Sequence, residues 1–548
     1  MRQLARIAIV VALVITSRAA GAVCPHTAPT GTVHYFCACG SGAQAGCVAG
    51  SDAANGLTPA TAKQTFATAV SLFGSMPAGD GIEFCNGGSW TATGTAWVNS
   101  SSTASSRAYV MSYTAAWGGA GFRPIIIDPT STFAFSMSHG STTSTPVGGY
   151  VFNGLHIIGD GSTGEAYFIY NQVNDVEMCD NEIEGVSIGH DNSGGNQPTY
   201  HNSNLVFVQN YVHDCPGQGY LGIDDGTVVG ENTFDNNGSA RAQLNHNIYG
   251  GTRNTADGAI YRNNVLTRAA WTSGTGCQGA SFTIHGTGIT NLYVIGNTVS
   301  EPLGAITPGC WGIAIAPGYP DVAESNTGVL IQGNTVVNVG NESIVCGSCI
   351  NATIENNVVV NLQNITDVAI KVPDDEATAA PADFTSDQVR VRNNSVLLDN
   401  GTGIFVGNEG THHTVVNNAI RFTGSGTRIC FNLNQPATSY DADDYNDCYN
   451  AGTWEGSTPT TSRTTWCSNR SADCNSKTTD PAYISITSPY NLAVLGTSPL
   501  VGMGSVTFGA TISFTGTSRG GIVDSGAYQV SVVAVTGGKG TLGAFGGQ

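Results

Sequence analysis

Charge is scarce in this chain. Only 11% of its 548 residues are Asp, Glu, Lys or Arg, and just four are lysine: Lys63, Lys371, Lys477 and Lys539. The balance is acidic, with a formal charge of −19 that becomes −22 once Arg2, Arg6 and Arg18 of the leader described below are discounted. Such a surface repels phosphate backbones and anionic lipid, so nucleic acid is excluded as a partner. Long apolar runs are also missing after the first residues, which excludes membrane insertion of the mature chain. A second CxxC, or a His at metal-ligand spacing from Cys346 and Cys349, is absent too. That pair therefore reads as a structural disulfide, and no metal site is assigned.

What is present is turn chemistry. There are 72 Gly, with Asn, Ser and Thr in quantity, while hydrophobic residues still make up 41%. Tight turns between short strands produce this mixture, and disorder does not. The first 22 residues have a basic start (Arg2, Arg6), an apolar run (Ile7 to Ile15) and small residues at Ala20-Gly21-Ala22. This is the plan of a secretory signal peptide, so a secreted or periplasmic chain is expected. Fifteen Cys fit that destination as disulfides, and their odd number leaves at least one thiol unpaired within the chain.

An internal repeat sets the architecture. Nine anchors, Asn181, Asn210, Asn232, Asn264, Asn297, Asn334, Asn357, Asn394 and Asn418, each have an apolar residue two positions later. Most also have apolar residues three and five positions before. Their spacings are 29, 22, 32, 33, 37, 23, 37 and 24 residues. A floor near 22 with irregular excess means a coil of fixed size carrying loops of variable length. Period-two alternation marks strands, and Asn suits the bend because it tolerates left-handed backbone. A second strand in each coil supplies an expected inward column: Ile169, Ile188, Ile223, Ile248, Ile284, Ile315 and Ile370, with Val345 and Ile404 or Phe405 completing it.

The expected fold is thus all-β, a right-handed parallel β-helix over 81–430. A segment over 23–80 precedes it, with a capping helix starting at Thr58-Pro59 and burying Phe66, Ala69, Val70 and Phe73. A Cys-, Thr- and Ser-rich cap and tail occupy 431–548.

Here the chain resembles a family. GSDAANGLTPATAKQTF followed by GDGIEFCNGGSW, and later YNLAVLGTSPLVGMG and DSGAYQV, are similar to the openings and ends of right-handed β-helix proteins of the pectin-lyase-like superfamily. The resemblance runs from about residue 45 to 530. It implies the architecture and a history of polysaccharide lyases, hydrolases, uronate epimerases, tailspikes and proteins of unknown role, without selecting a reaction. The NTD, GHG and RIK set of polygalacturonase-type hydrolases is missing, with only GIDDGT matching one short element. The DPHD of mannuronan epimerases and the Arg-bearing motif of the main pectate-lyase family are missing as well.

The residues following the Ile column point outward. With rungs about 4.8 Å apart, Asp224, Tyr249 and His285 become neighbours on one exposed face and are the candidate catalytic residues. Asn247, Asp225, His190, Arg241, Arg268 and Lys371 are the candidate substrate-binding residues. His246 shares the inward parity of Ile248 and reads as a buried, hydrogen-bonded histidine.

The expected partner is a polysaccharide, and two chemistries compete on it. β-Elimination uses His285 or Tyr249 as base and the other as acid, with Arg241 or Arg268 neutralising a uronate carboxyl. Hydrolysis would use Asp224 and Asp225 as paired carboxylates. A non-catalytic glycan-binding or spacer protein is the third alternative. The residues assign no particular cofactor, and Ca²⁺ is the ion that could bridge an acidic protein to a polyanion. The acidic runs Asp374-Asp375-Glu376 and Asp441 to Asp447 read as solvated turns, since the second lacks the central Gly and closing Glu of an EF-hand.

Overall fold

The computed structural model describes residues 24–119, 121–129, 133–138, 146–161, 164–192, 201–241, 244–373, 381–530. The expected signal peptide and the Asp374–Glu376 cluster lie outside them. The chain winds into three long parallel sheets, two of 14 strands and one of 13, in which each strand pairs with its counterpart one coil away. A parallel crossover of this kind takes the right-handed sense. One coil shows the plan: Val206–Val208 in the first sheet, a turn at Asn210, Tyr211–His213 in the second, then Tyr220–Leu221 in the third.

The anchoring asparagines form a buried ladder. Each donates its backbone N–H and its side-chain amide to the Oδ1 of the next, from Asn181 to Asn210 at 2.9 and 3.0 Å through Asn394 to Asn418 at 3.1 and 3.0 Å. The ladder gains a rung beyond the nine, because Asn418 donates in the same way to Asn446. The expected reason for Asn needs correction. The left-handed residue of the turn is the one before it: Gln209 has φ 59°, Asn263 φ 53°, Gly296 φ 67° and Tyr445 φ 60°. Asn is selected for its inward amide, which pairs both its own rung and the next, rather than for its backbone.

The third sheet has a different inward column from the expected one. Phe135, Tyr167, His190, Tyr220, Ile248, Phe282, Ile313, Ile344, Ile370, Ile404 and Phe431 face one another through the rungs. Ile284 and Ile315 are inward but one column over, opposite Gly250 and Cys346. Val345 shares the outward rank with Lys371. Ile223 drops out because the strand leaves the sheet at Gly222 (φ 109°), where a Cβ would lie 2.3 Å from the Asn192 Oδ1.

Both ends of the stack are covered. Val33–Phe36 already belongs to the first sheet, and strands Tyr440–Asp444, Asp447–Tyr449 and Thr453–Glu455 extend all three, so the coils run past 81–430 on either side. Asp443 is buried in this added coil, and Asp447 accepts from the Thr479 N–H and hydroxyl. The α-helix Phe66–Ser75 starts at Thr65 rather than Thr58, since Asp52 accepts from Thr65 and fixes the turn, while Pro59–Thr61 forms a 3₁₀ turn. The helix buries Phe66, Ala69, Val70 and Phe73 against Phe84, Trp97 and Tyr150, closing the open end of the core.

At the other end, the segment from Tyr483 onward folds back along the rod, packing Leu492, Leu500 and Met503 on Val358, Val360 and Leu397. Seven disulfides form, including Cys346–Cys349, and Cys24–Cys179 ties the start of the described chain to a coil 155 residues on. Cys215 is the unpaired thiol, buried in the core. No helix among the described residues is long and apolar enough to cross a membrane.

Candidate active site

The outer face of the third sheet carries a cleft of about 700 Å³. Its floor is made by strands Ile248–Asp257, Phe282–Thr290 and Ile313–Ile315. Its walls come from the variable loops, with Arg241, Leu244 to His246, Pro308, Gly309 and Trp311 on one side and Ala316 to Gly318 on the other. The irregular excess over the 22-residue coil is thus what builds the site.

Tyr249 and His285 meet on this floor, as expected, but not as directly opposed rungs. Tyr249 pairs with Thr283, and His285 pairs with Gly251. The missing side chain at Gly251 closes the gap of two residues: a Cβ there would lie 2.4 Å from the Tyr249 ring and 3.0 Å from the Tyr319 hydroxyl. Tyr249 leans into that space and places its hydroxyl 2.5 Å from His285 Nε2.

On the far side of the ring, His285 Nδ1 is 3.1 Å from Glu324 Oε1. The carboxylate of Glu324 is fully buried and accepts the Gly318 and Tyr319 N–H groups at 2.7 and 3.0 Å. An acceptor-only carboxylate makes Nδ1 the donor, so a neutral His285 presents the Nε2 lone pair to the Tyr249 hydroxyl. The result is a Tyr–His–Glu relay. Burial first, then the Tyr319 phenol and the Glu324 charge, raises the Tyr249 pKa well above the ordinary phenol value, so its proton is in place at neutral pH. His246 stacks flat on the Tyr249 ring, with centroids 5.3 Å apart and 7° between planes. Burial lowers the His246 pKa to about 4, so that ring stays neutral.

The other candidates divide. Arg241 is exposed on the cleft wall, and no ion pair involving it forms among the described residues. Asp224 does not line the cleft. It lies inside the corner after the third-sheet strand, bonded to the Asn192 and Asn202 amides at 2.7 and 3.3 Å, with its pKa pushed up to about 7 by burial. The early exit of the strand at Gly222 is what removes it from the face. Asp225 turns the opposite way, and its carboxylate accepts from the Asp257 N–H at 2.8 Å.

His190 was expected outward but is an inward core residue stacked on Tyr220. Asn247 is also buried, and it bonds Asn237 and the Thr267 carbonyl at the corner of two sheets. Arg268 is ion-paired with Asp235 away from the cleft, because Asp235 belongs to the second sheet. Lys371 does point outward on the third sheet but pairs with Glu342 at 2.8 Å. The sequence reading missed Glu324 and Tyr319, and it placed His246 correctly as buried without seeing that it supports Tyr249. A lone Glu in the loop after a third-sheet strand was the available signal in so uncharged a chain.

The sheets define a parallel β-helix, and the cleft on one outer face holds the Tyr–His–Glu chain of contacts. No family model matches the chain, and no curated protein does. Among solved structures, it is similar to the pectate lyase Pel9A, at 12% identity over 91% of this chain and 97% of that one, with a TM-score of 0.37. It is also similar to PfbA, a surface adhesin of Streptococcus pneumoniae, at 10% identity over 68% and 84%, with a TM-score of 0.41. An alginate lyase crystallised with a trisaccharide matches at 10% identity over 82% and 91%, with a TM-score of 0.36. Likenesses this distant speak only to how the chain winds, and the fold rests on the three sheets themselves.

Proposed function

We propose that the protein is a secreted polysaccharide lyase that cuts a uronate-containing polymer by β-elimination in this cleft. The observation that carries the reading is the 2.5 Å contact between the Tyr249 hydroxyl and His285 Nε2 on an open cleft floor, backed by buried Glu324. When substrate enters, the Tyr249 hydroxyl turns toward the leaving glycosidic oxygen and frees the His285 lone pair. His285 takes the proton α to the uronate carboxyl, the carbon–oxygen bond β to it breaks, and Tyr249 protonates the departing oxygen. The imidazolium, held by Glu324, then returns its proton to the phenolate and resets the pair. Arg241 is placed to receive the uronate carboxylate, and its positive charge draws an anionic chain to an otherwise acidic protein.

Hydrolysis loses support because no Asp or Glu is found among the described residues lining the cleft, whereas that chemistry needs two carboxylates flanking the bond. The test is incubation of the mature protein with a panel of polyuronates and neutral glycans, with and without chelator. Ultraviolet absorbance of an unsaturated uronate is expected, and Tyr249→Phe and His285→Gln should each lower the rate by about 10²-fold or more. Reducing ends without that absorbance would transfer the protein to the hydrolases, and binding without turnover would make it a lectin-like rod. A requirement for added Ca²⁺ would move the neutralising role from Arg241 to the ion.

A further inference from the structure

A second hollow, of about 290 Å³, adjoins the cleft along the third sheet, and no step of the elimination uses it. The two share Gln218, Arg241 and Asn245 as a common wall. Leu221 lines the second hollow and pairs directly with Tyr249, so one rung separates the two floors. That step of about 4.8 Å is close to the span of one sugar ring in a chain. A polymer lying along the rod therefore sets one ring over Tyr249 and its neighbour over Leu221.

The charges do not suit a run of uronates. Arg241 is the only Arg, Lys, Asp or Glu among the described residues lining either hollow. Beyond the shared wall, the second hollow is Ile188, Pro216, Leu221 and Ala240, with glycines and the Ser187 hydroxyl. The Gln218 amide donates to the Leu244 carbonyl and to Asn245 Oδ1 at 3.0 and 3.3 Å, and the Asn245 amide to the Pro216 carbonyl at 3.1 Å. Past Leu221 the rungs turn acidic, with Asp191 opposite it and Glu165 opposite Ile188. Burial, then the Asp191 and Asp128 charges, holds Glu165 well above the ordinary carboxylate range. Three carboxyl groups so placed raise the cost of bringing in a further one. Towards the other end of the sheet, Lys371 is already paired with Glu342.

A carboxylate taken out of water without a cation is disfavoured, so Arg241 serves one uronate and the ring beside it has to be uncharged. Resting on the lyase reading, we infer that the substrate is a polysaccharide in which uronates alternate with uncharged sugars, the uncharged ring occupying the hollow floored by Ile188 and Leu221. The apolar side chains there cover the C–H face of that ring, and Ser187 offers its hydroxyl. A homopolymer of uronates leaves its second carboxylate facing apolar side chains and, one rung on, Asp191.

The test compares turnover of hyaluronan and unsulfated chondroitin, whose uronates alternate with N-acetylated sugars, with that of polygalacturonate and alginate. Both sets are run in chelator and in added Ca²⁺. In each condition kcat/KM should be about tenfold or more higher on the alternating polymers. Ala240→Arg, at an exposed position, adds a cation to the second hollow. It should raise kcat/KM on the homopolymers by about threefold or more without raising it on the alternating ones. If none of the four polymers is cut, the lyase reading fails by itself, and calorimetric binding of oligosaccharides from the same four polymers decides the present inference. Tighter binding of the alternating oligosaccharides then upholds it. Homopolymers used or bound as well as the alternating chains overturn it, as do binding of neither class and an Ala240→Arg protein that folds yet gains nothing on homopolymers.

Discussion

Replacing Asn297 by alanine tests the spine of the fold at one rung. The Asn297 amide donates to the Tyr261 carbonyl and to Asn334 Oδ1, each at 3.0 Å. Its Oδ1 accepts the Asn264 N–H and side-chain amide at 3.0 and 2.9 Å. Truncation therefore orphans a buried backbone N–H and one buried amide proton of Asn264, and it thins the shell around two carbonyl oxygens. Orphaned buried donors cost about 1–3 kcal/mol each, so the two sum to about 2–6 kcal/mol.

Thr298, next along the chain and turned outward in the second sheet, serves as control, and its alanine variant should change stability by less than about 0.5 kcal/mol. Because stacked coils exchange support mainly with their neighbours, the loss should appear first as local opening. The assay is hydrogen exchange over residues 260–300 together with the guanidinium midpoint. Faster exchange confined to the rungs around Asn264 is the expected result. A loss below about 1 kcal/mol with unchanged local exchange would refute the view that the ladder holds the coils in register.

Three further outcomes follow from other contacts. Gly251→Ala should abolish turnover while leaving the fold intact, because its methyl group would take the place of the Tyr249 ring; circular dichroism alongside the elimination assay checks both halves. Burial raises Asp224 to about 7, and Asp367 and Glu301 to about 8, against 3.8, 3.8 and 4.5 for the free side chains. The native state therefore holds more protons than the unfolded one between about pH 4 and 8, so stability is full below that window and falls as pH rises through it. The melting temperature should be higher at pH 5 than at pH 8.5, and the reverse order would contradict the burial of these groups. Gln209→Gly should stabilise by about 0.5–1 kcal/mol in thermal denaturation, since the residue sits at φ 59° where glycine is unstrained.

The Asn repeat, read along the chain, was enough to establish a parallel solenoid, because a side chain that must bond its own copy recurs at every turn whatever the loops do. The same logic made the capping helix legible through Phe66, Ala69, Val70 and Phe73, and the Cys346–Cys349 disulfide through its isolation. The meeting of Tyr249 and His285 was also within reach, since both have outward parity.

Register and corners were decided only in three dimensions. A strand signals its alternation in sequence but not where it leaves the sheet, so Ile223 was aligned with Ile248 where Tyr220, three residues earlier, belongs, and Asp224 was carried onto a face it never reaches. Glu324 comes from a loop, and loops carry no period.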